Sequence, residues 1–423
     1  MILKLINTIY FIILIGYFIS FSVLWAKYIP QPEFTKTVNK NPYFFLDYTR
    51  YYVLAKITDS KDRNEIYNPS VQKKYFSAAI APAKPYQYFS QYPPQTGLLM
   101  YPWQFLPLNY GYAIFIIFSL LILGLSLTQA KNQLNPISNI TFISILLGIF
   151  ASMPMVWSIL LGQVNILLVA ALSFFLIDIY NKKYSLGVIS SLLLSIKPHY
   201  FVFFFPLSLF MRNLKFYLAS FGLNLLLLIA TLKAFSNNIY FTYLNMLKEA
   251  ETKFSYMGVK LPDFASDTTY LMTLRKPLML FMAPALALNV AFVFFSLSFF
   301  LAAFLCYKNN WRKSENTVWV YSAIILLYLV FCPHAHFHDS LLLCIVAVIT
   351  INSVSLEQIL KYKLSLKIWH LIFYFYPILT WLGFLSQLSS MGFREYFFLV
   401  VNIILLVISL LQIKSLNGQA KWI

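Results

Sequence analysis

The stretch LINTIYFIILIGYFISFSVLWA, Leu5 to Ala26, decides the class of fold, and WHLIFYFYPILTWLGFLSQL, Trp369 to Leu388, reads the same way. Each run is about 20 residues or longer, and at roughly 1.5 Å of rise per residue such a helix crosses a hydrocarbon core of roughly 30 Å. The apolar residues are consecutive. Strands of a membrane barrel would instead alternate apolar and polar positions over about 10 residues. Composition agrees: the 423 residues are 60% hydrophobic, 19% aromatic and 11% charged, too little polar surface for a soluble fold of this size. Lys4 ahead of the first run imitates a secretory signal, yet the run is long enough to span and Trp25-Ala26-Lys27-Tyr28 offers no small-x-small cleavage site. A retained first helix is expected.

The net charge of +18 suggests nucleic acid until its distribution is followed. Lys131, Lys182, Lys183, Arg212, Lys215, Lys308, Arg312, Lys313, Lys361, Lys363, Lys367, Lys414 and Lys421 fall in short connections or the tail, the pattern of cytoplasmic loops. Parity then places both termini inside, with about 12 crossings beginning near residues 5, 110, 138, 164, 184, 199, 214, 285, 316, 339, 367 and 395. The outer set comprises a first long loop, 27–95, the turn at Gly162, the Lys197-Pro198 break, a second long loop, 233–276, the run around His336 and the turn at Gly392 to Arg394. No full crossing fits between Pro93 and Pro107, so a short re-entrant or interfacial helix is expected there, bounded by prolines. Likewise, two segments of about 13 residues must fold back at Lys197-Pro198, each giving roughly 20 Å of helix. Broken helices at membrane depth are tolerated where they line a cavity. With no repeat, low-complexity tract or soluble module, residues 1–423 read as one integral membrane domain.

Several polar groups gather on the expected outer rim. Asp47 and Arg50 are three apart and share a helix face. Gly162-Gln163-Val164-Asn165 sets two amides between apolar helices, Lys197-Pro198-His199 sets a cation at a helix break, and His334, His336, His338 and Asp339 crowd one connection. Each has a plainer reading: Asp47 as the partner of Arg50 or a helix cap, Lys197 as a snorkelling cation, Gln163 and Asn165 as interhelical glue. In an extended segment the three histidines would point to one side, a geometry compatible with zinc, with Asp339 as a further ligand. Cys306, Cys332 and Cys344 show neither metal-ligand nor disulfide spacing. Nor is there a Gly-rich nucleotide fingerprint among only 12 glycines.

The ordered set DYTRYY (Asp47 to Tyr52), IYNP (Ile66 to Pro69), YPPQ (Tyr92 to Gln95), GQVN (Gly162 to Asn165), IKPH (Ile196 to His199) and PHAHFHD (Pro333 to Asp339) resembles glycosyltransferase family 87 over roughly residues 40 to 345. The resemblance implies an all-α, GT-C-like bundle with re-entrant or interfacial helices on the outer face. It also implies a polyprenyl-phosphate sugar as donor, with mannose the leading hexose, and a lipid- or glycan-linked acceptor. Asp47 matches the family's loop aspartate and is expected to be the general base of an inverting single displacement. A lipid-phosphate leaving group calls for cations and donors: Lys197 first, then Arg50, His336 and the Arg275-Lys276 pair. Asp339, Gln163 and Asn165 join the candidate site through the resemblance, and Tyr92 sits where a sugar face or prenyl chain would pass. The family's histidine motif serves substrate contact, so neither a metal nor another cofactor is expected.

A lipid-linked-sugar flippase or transporter also has about 12 helices with broken segments near its site. It would place ionisable groups near the bilayer midplane and show related halves, and this chain displays neither clearly. An oligosaccharide polymerase or ligase predicts an Arg-rich late outer loop, where this chain has only Arg394 and the histidines. Membrane lipids are the remaining expected partners, nucleic acid is excluded, and the first helix and composition suggest a bacterial inner membrane.

Overall fold

The computed structural model describes residues 46–81, 89–253, 255–260, 271–309, 315–351, 363–388 and 396–419, with scattered helical positions between Thr8 and Ile19. Most of the expected first crossing, the front of the first long loop (27–45), residues 261–270 of the second and the turn at Gly392 to Arg394 lie outside the described residues. In chain order the helices are α1 (Leu46–Thr58), α2 (Pro69–Ile80), α3 (Gln95–Leu99), α4 (Leu108–Leu134), α5 (Asn139–Phe150), α6 (Met153–Leu161), α7 (Asn165–Asn181), α8 (Leu186–Leu194), α9 (Pro198–Phe210), α10 (Leu214–Ala234) and α11 (Ile239–Lys253). There follow α12 (Arg275–Leu278), α13 (Pro284–Lys308), α14 (Glu315–Phe331), α15 (Leu343–Thr350), α16 (Leu364–Tyr374), α17 (Tyr376–Leu388) and α18 (Phe397–Gln419). The one sheet among the described residues is a two-residue antiparallel hairpin, β1 (Ser255–Tyr256) with β2 (Val259–Lys260).

Four helices, α4, α10, α13 and α18, are long and apolar enough to cross a membrane, and α5 with α6, bent by 56° at their junction, makes a fifth, broken span. Their exteriors require lipid. The helix α10 buries only Phe216, Ser220 and Thr231 and turns Leu218, Phe221, Leu225, Leu226 and Ile229 outward, an apolar face that water would not tolerate. At the other extreme, every residue of α7 from Asn165 to Ile179 is buried, between α4 and α8. The chain is therefore an all-α, multi-pass membrane protein.

The expected count of about 12 crossings treats several shorter helices as spans. Helices α7 and α14 have 17 residues, α9 has 13, α8 nine and α15 eight. Protein contacts reach two of these ends. The Asn181 side chain at the end of α7 donates to Gln133 of α4, and Asn135 Nδ2 donates to Ile351 O just past α15 at 3.1 Å. The second contact satisfies a backbone carbonyl at a helix end from within the protein. The Pro93–Pro107 stretch forms the short helix expected, as α3 followed by a 3-10 turn, Tyr101–Phe105. The Lys197-Pro198 break is also present, between α8 and α9.

The described parts of the two long loops pack together. Ile239, Tyr243, Met246 and Ala250 recur at helical spacing along α11 and pack with Val53, Leu54 and Ile57 of α1, Ile66, Tyr67, Phe76 of α2 and Phe89 in a second core, separate from the main one. This face of α11 lies on α1 and α2, and Phe241 and Leu244 are exposed. Gln72 ties the cap together, donating from Nε2 to Ile66 O (2.8 Å) and Ser90 O (3.1 Å) and accepting from Ser90 N (2.6 Å). On its exposed side Lys74 lies 2.6 Å from Asp62, and this hydrogen bond holds the Asp62 carboxyl below its ordinary range.

Candidate active site

Helix α1 carries Asp47 and is gripped by glycines. The αL backbone of Gly162 (φ +67) closes α6, with Gly162 N donating to Ile159 O and Gln163 N to Ser158 O, the pattern of a Schellman end. A Cβ at Gly162 would stand 2.5 Å from the Cβ of Tyr48, one at Gly111 would collide with the Tyr48 hydroxyl, and one at Gly97 with the Thr58 hydroxyl. Three elements thus approach α1 as closely as backbone permits, and the residue that follows Gly162 is delivered to Asp47.

Asp47 is buried, and both its oxygens are engaged. Arg50 Nη1 donates to Oδ1 at 3.0 Å and Gln163 Nε2 donates to Oδ2. The Arg50 contact is the shared-face pair read from the sequence. Beside it, Tyr51 OH donates to Tyr92 OH at 2.9 Å and accepts from Val164 N at 3.4 Å, while Tyr67 OH donates to Tyr92 O at 2.8 Å. Partly buried, Tyr92 is an electrostatic neighbour of Asp47, Arg50 and Asp339 together.

Asp339 is a second, fully buried carboxylate. Its Oδ1 accepts from Asn165 Nδ2 at 2.6 Å, Tyr200 OH at 2.9 Å and Lys197 Nζ at 3.1 Å, and its Oδ2 accepts from His336 N at 2.7 Å. Lys197 precedes Pro198 in the extended conformation that proline imposes on its neighbour, which starts α9 so that Lys197 and Tyr200 reach the same oxygen. Lys197 Nζ also stands 3.4 Å from His338 Nε2. Its charge is thus matched inside the protein. So many donors suit the ionised form of the acid, and a pair this deep holds only because hydrogen bonds satisfy the remaining valences.

The Gly162–Asn165 turn therefore spans the two carboxylates: Gln163 holds Asp47 and Asn165, two residues on, holds Asp339. All eight residues expected at the site, Asp47, Arg50, Tyr92, Gln163, Asn165, Lys197, His336 and Asp339, come together. Sequence reasoning passed over Tyr200, although its place three residues after Lys197 in a first helical turn puts both on one face. The sequence left open which histidine of the 334–338 run belongs at the site, and the structure sets His338 beside Lys197.

The histidines do not project to one side. Residues 337–342 form a 3-10 turn instead of an extended segment. His336 and His338 stack with ring centroids 5.4 Å apart, while His334 faces His199 (6.2 Å) and Phe292 (6.0 Å). Among the described residues no three His, Cys, Asp or Glu side chains are grouped as metal ligands. Leu271 bridges to His336 and Met272 N donates to Ala335 O, which brings the buried Arg275 and Lys276 of α12 to this strip, with Arg275 an electrostatic neighbour of His334.

Two buried carboxylates, each hydrogen-bonded to a cation and an amide within an all-α membrane bundle, define an integral membrane protein with a polar, ionic site. The family model for glycosyltransferase family 87 matches residues 89–333, and the chain belongs to that family: it is a membrane glycosyltransferase. The matched span is narrower at both ends than the likeness of the motifs. It contains Tyr92, Gln163, Asn165 and Lys197, while Asp47 and Arg50 precede it and His336 and Asp339 follow it. Side-chain contacts from Gln163, Asn165 and Lys197 join these flanking residues to the matched core. No curated protein matches the chain, and no solved structure matches it.

Proposed function

We propose that the protein transfers a hexose, mannose first among them, from a polyprenyl-phosphate sugar to a hydroxyl of a lipid- or glycan-linked acceptor, with inversion at the anomeric carbon. The observation that carries this reading is the pairing of Asp47 with the Lys197–Asp339 cluster through a single turn. This joins a carboxylate, read here as the base, to a cluster of cations and donors. Asp47 takes the acceptor proton once one of its oxygens is released from Arg50 or Gln163. The acceptor oxygen forms its bond to C1, the C1–O bond to phosphate breaks, and the polyprenyl phosphate leaves with the electron pair. Lys197, Arg50, His336 and the Arg275-Lys276 pair are the groups assigned to the developing phosphate charge. Asp339 orders Lys197 and the His336 turn, and Tyr92, Gln163 and Asn165 line the space between base and leaving group. No metal takes part in these steps. On this reading the bundle is GT-C-like with about 12 crossings, and the lysine and arginine distribution supports a site that faces outward from a bacterial inner membrane.

The test is sugar transfer to membrane extract by purified, detergent-solubilised protein, using labelled polyprenyl-phosphate mannose and polyprenyl-phosphate glucose. Asp47→Asn is expected to abolish transfer while donor binding and folding persist. Equal transfer by wild type and variant removes Asp47 as base, and movement of lipid-linked sugar across proteoliposomes without transfer from either donor makes the protein a flippase.

A further inference from the structure

Gln163 is 5% exposed and Asn165 is fully buried. Their amide nitrogens are taken by Asp47 and Asp339, yet the amide oxygens, Gln163 Oε1 and Asn165 Oδ1, are buried with no hydrogen-bond partner. An amide is planar, so a nitrogen pinned to a carboxylate also fixes the direction of its oxygen. Leaving a buried acceptor unpaired costs about 1–3 kcal/mol. One such orphan is commonplace. Two on a single four-residue turn, both anchored to the acidic groups of the same site, make a built pair of acceptors.

We propose that these two oxygens accept hydrogen bonds from hydroxyl groups of the transferred sugar, so that the turn recognises a pyranose while it holds the two carboxylates. This rests on the transferase reading above and adds the specificity determinant. The chemistry favours a hydroxyl over the other occupants. An anionic group would face four acceptor side chains, and a further cation would sit beside Arg50 and Lys197, which already lie 3.0 Å and 3.1 Å from the carboxylates. A neutral O–H donor fits both constraints. With Asp47 as base and the cations assigned to the phosphate, the sugar is the part of the donor whose hydroxyls remain for the turn to meet.

The test is equilibrium binding, to the full-length protein in detergent, of polyprenyl-phosphate mannose and its 2-, 3-, 4- and 6-deoxy analogues, with transfer measured in parallel. At least one deoxy analogue is expected to bind wild type about tenfold or more weakly, because a site built to pair a hydroxyl rejects the analogue lacking it. That penalty is expected to shrink below about threefold in Asn165→Ala or Gln163→Ala. A role confined to supporting Asp47 and Asp339 would weaken all analogues by one common factor and leave the penalty intact, which overturns the proposal. The wild-type series alone decides if a variant does not fold: equal binding of every analogue means that the oxygens hold water only. Transfer with a flat deoxy series sinks this inference and leaves the transferase reading standing. A graded series that collapses in the variants, without transfer from any donor, does the reverse, and neither binding nor transfer ends both.

Discussion

Lys197→Met tests the buried pair on which the site is built. The substitution removes a cation 3.1 Å from Asp339 Oδ1 and leaves a carboxylate with no exposed surface from which to regain water. Breaking a buried pair from one side costs about 3–5 kcal/mol. Three donors stay on Asp339, from Asn165, Tyr200 and the His336 backbone, which puts the expected loss at the lower end, about 3 kcal/mol. Asp339→Asn strands Lys197 next to His338 and presents an amide to donors arranged for a carboxylate, with a similar loss. The double variant carries neither charge, so it should be more stable than the sum of the single losses by about 2–3 kcal/mol. Equilibrium unfolding of the full-length protein in mixed micelles measures all four corners of the cycle. Losses that add to within about 0.5 kcal/mol would mean that the two groups are not a desolvated ion pair, and the account of Asp339 as the group that orders Lys197 would fall.

Two smaller predictions concern the scaffold. Gly111→Ala should destabilise by about 1–3 kcal/mol through overpacking, since its Cβ meets the Tyr48 hydroxyl. Because that hydroxyl is buried without a hydrogen-bond partner, Tyr48→Phe alone should be neutral or slightly stabilising and should rescue part of the Gly111→Ala loss in the double variant; no rescue would place the clash elsewhere. Gln72→Leu removes three buried hydrogen bonds and should cost about 3 kcal/mol or more. Amide exchange should then quicken in residues 60–80 and spare α7; uniform quickening through the bundle would show that the cap is not a unit of its own.

Local rules carried the sequence a long way. Consecutive apolar residues required lipid and helices, because a backbone in hydrocarbon must satisfy its own polar groups. Prolines at 93, 94 and 107 bounded a short helix, Pro198 restarted the chain after Lys197, and the three-residue spacing of Asp47 and Arg50 put them on one face. All of this follows from interactions within a few residues. The number of independent crossings did not, since hydropathy counts apolar stretches as spans while α8 and α15 form helices of only nine and eight residues, shorter than a bilayer crossing.

The site depended on contacts that skip far along the chain. Gln163 meets Asp47 across 116 residues, and Lys197 meets Asp339 across 142. The motifs identified the participants, but tertiary packing alone decided who pairs with whom: that Asn165 and Tyr200 share the oxygen that Lys197 takes, that His336 and His338 stack while His334 faces His199, and that α11 packs on α1. A sequence records the chemistry of each side chain and the period of its own element. Which carboxylate a given amide or lysine meets is set by the close approach of helices at positions such as Gly162 and Gly111, and that geometry exists only once the bundle has packed.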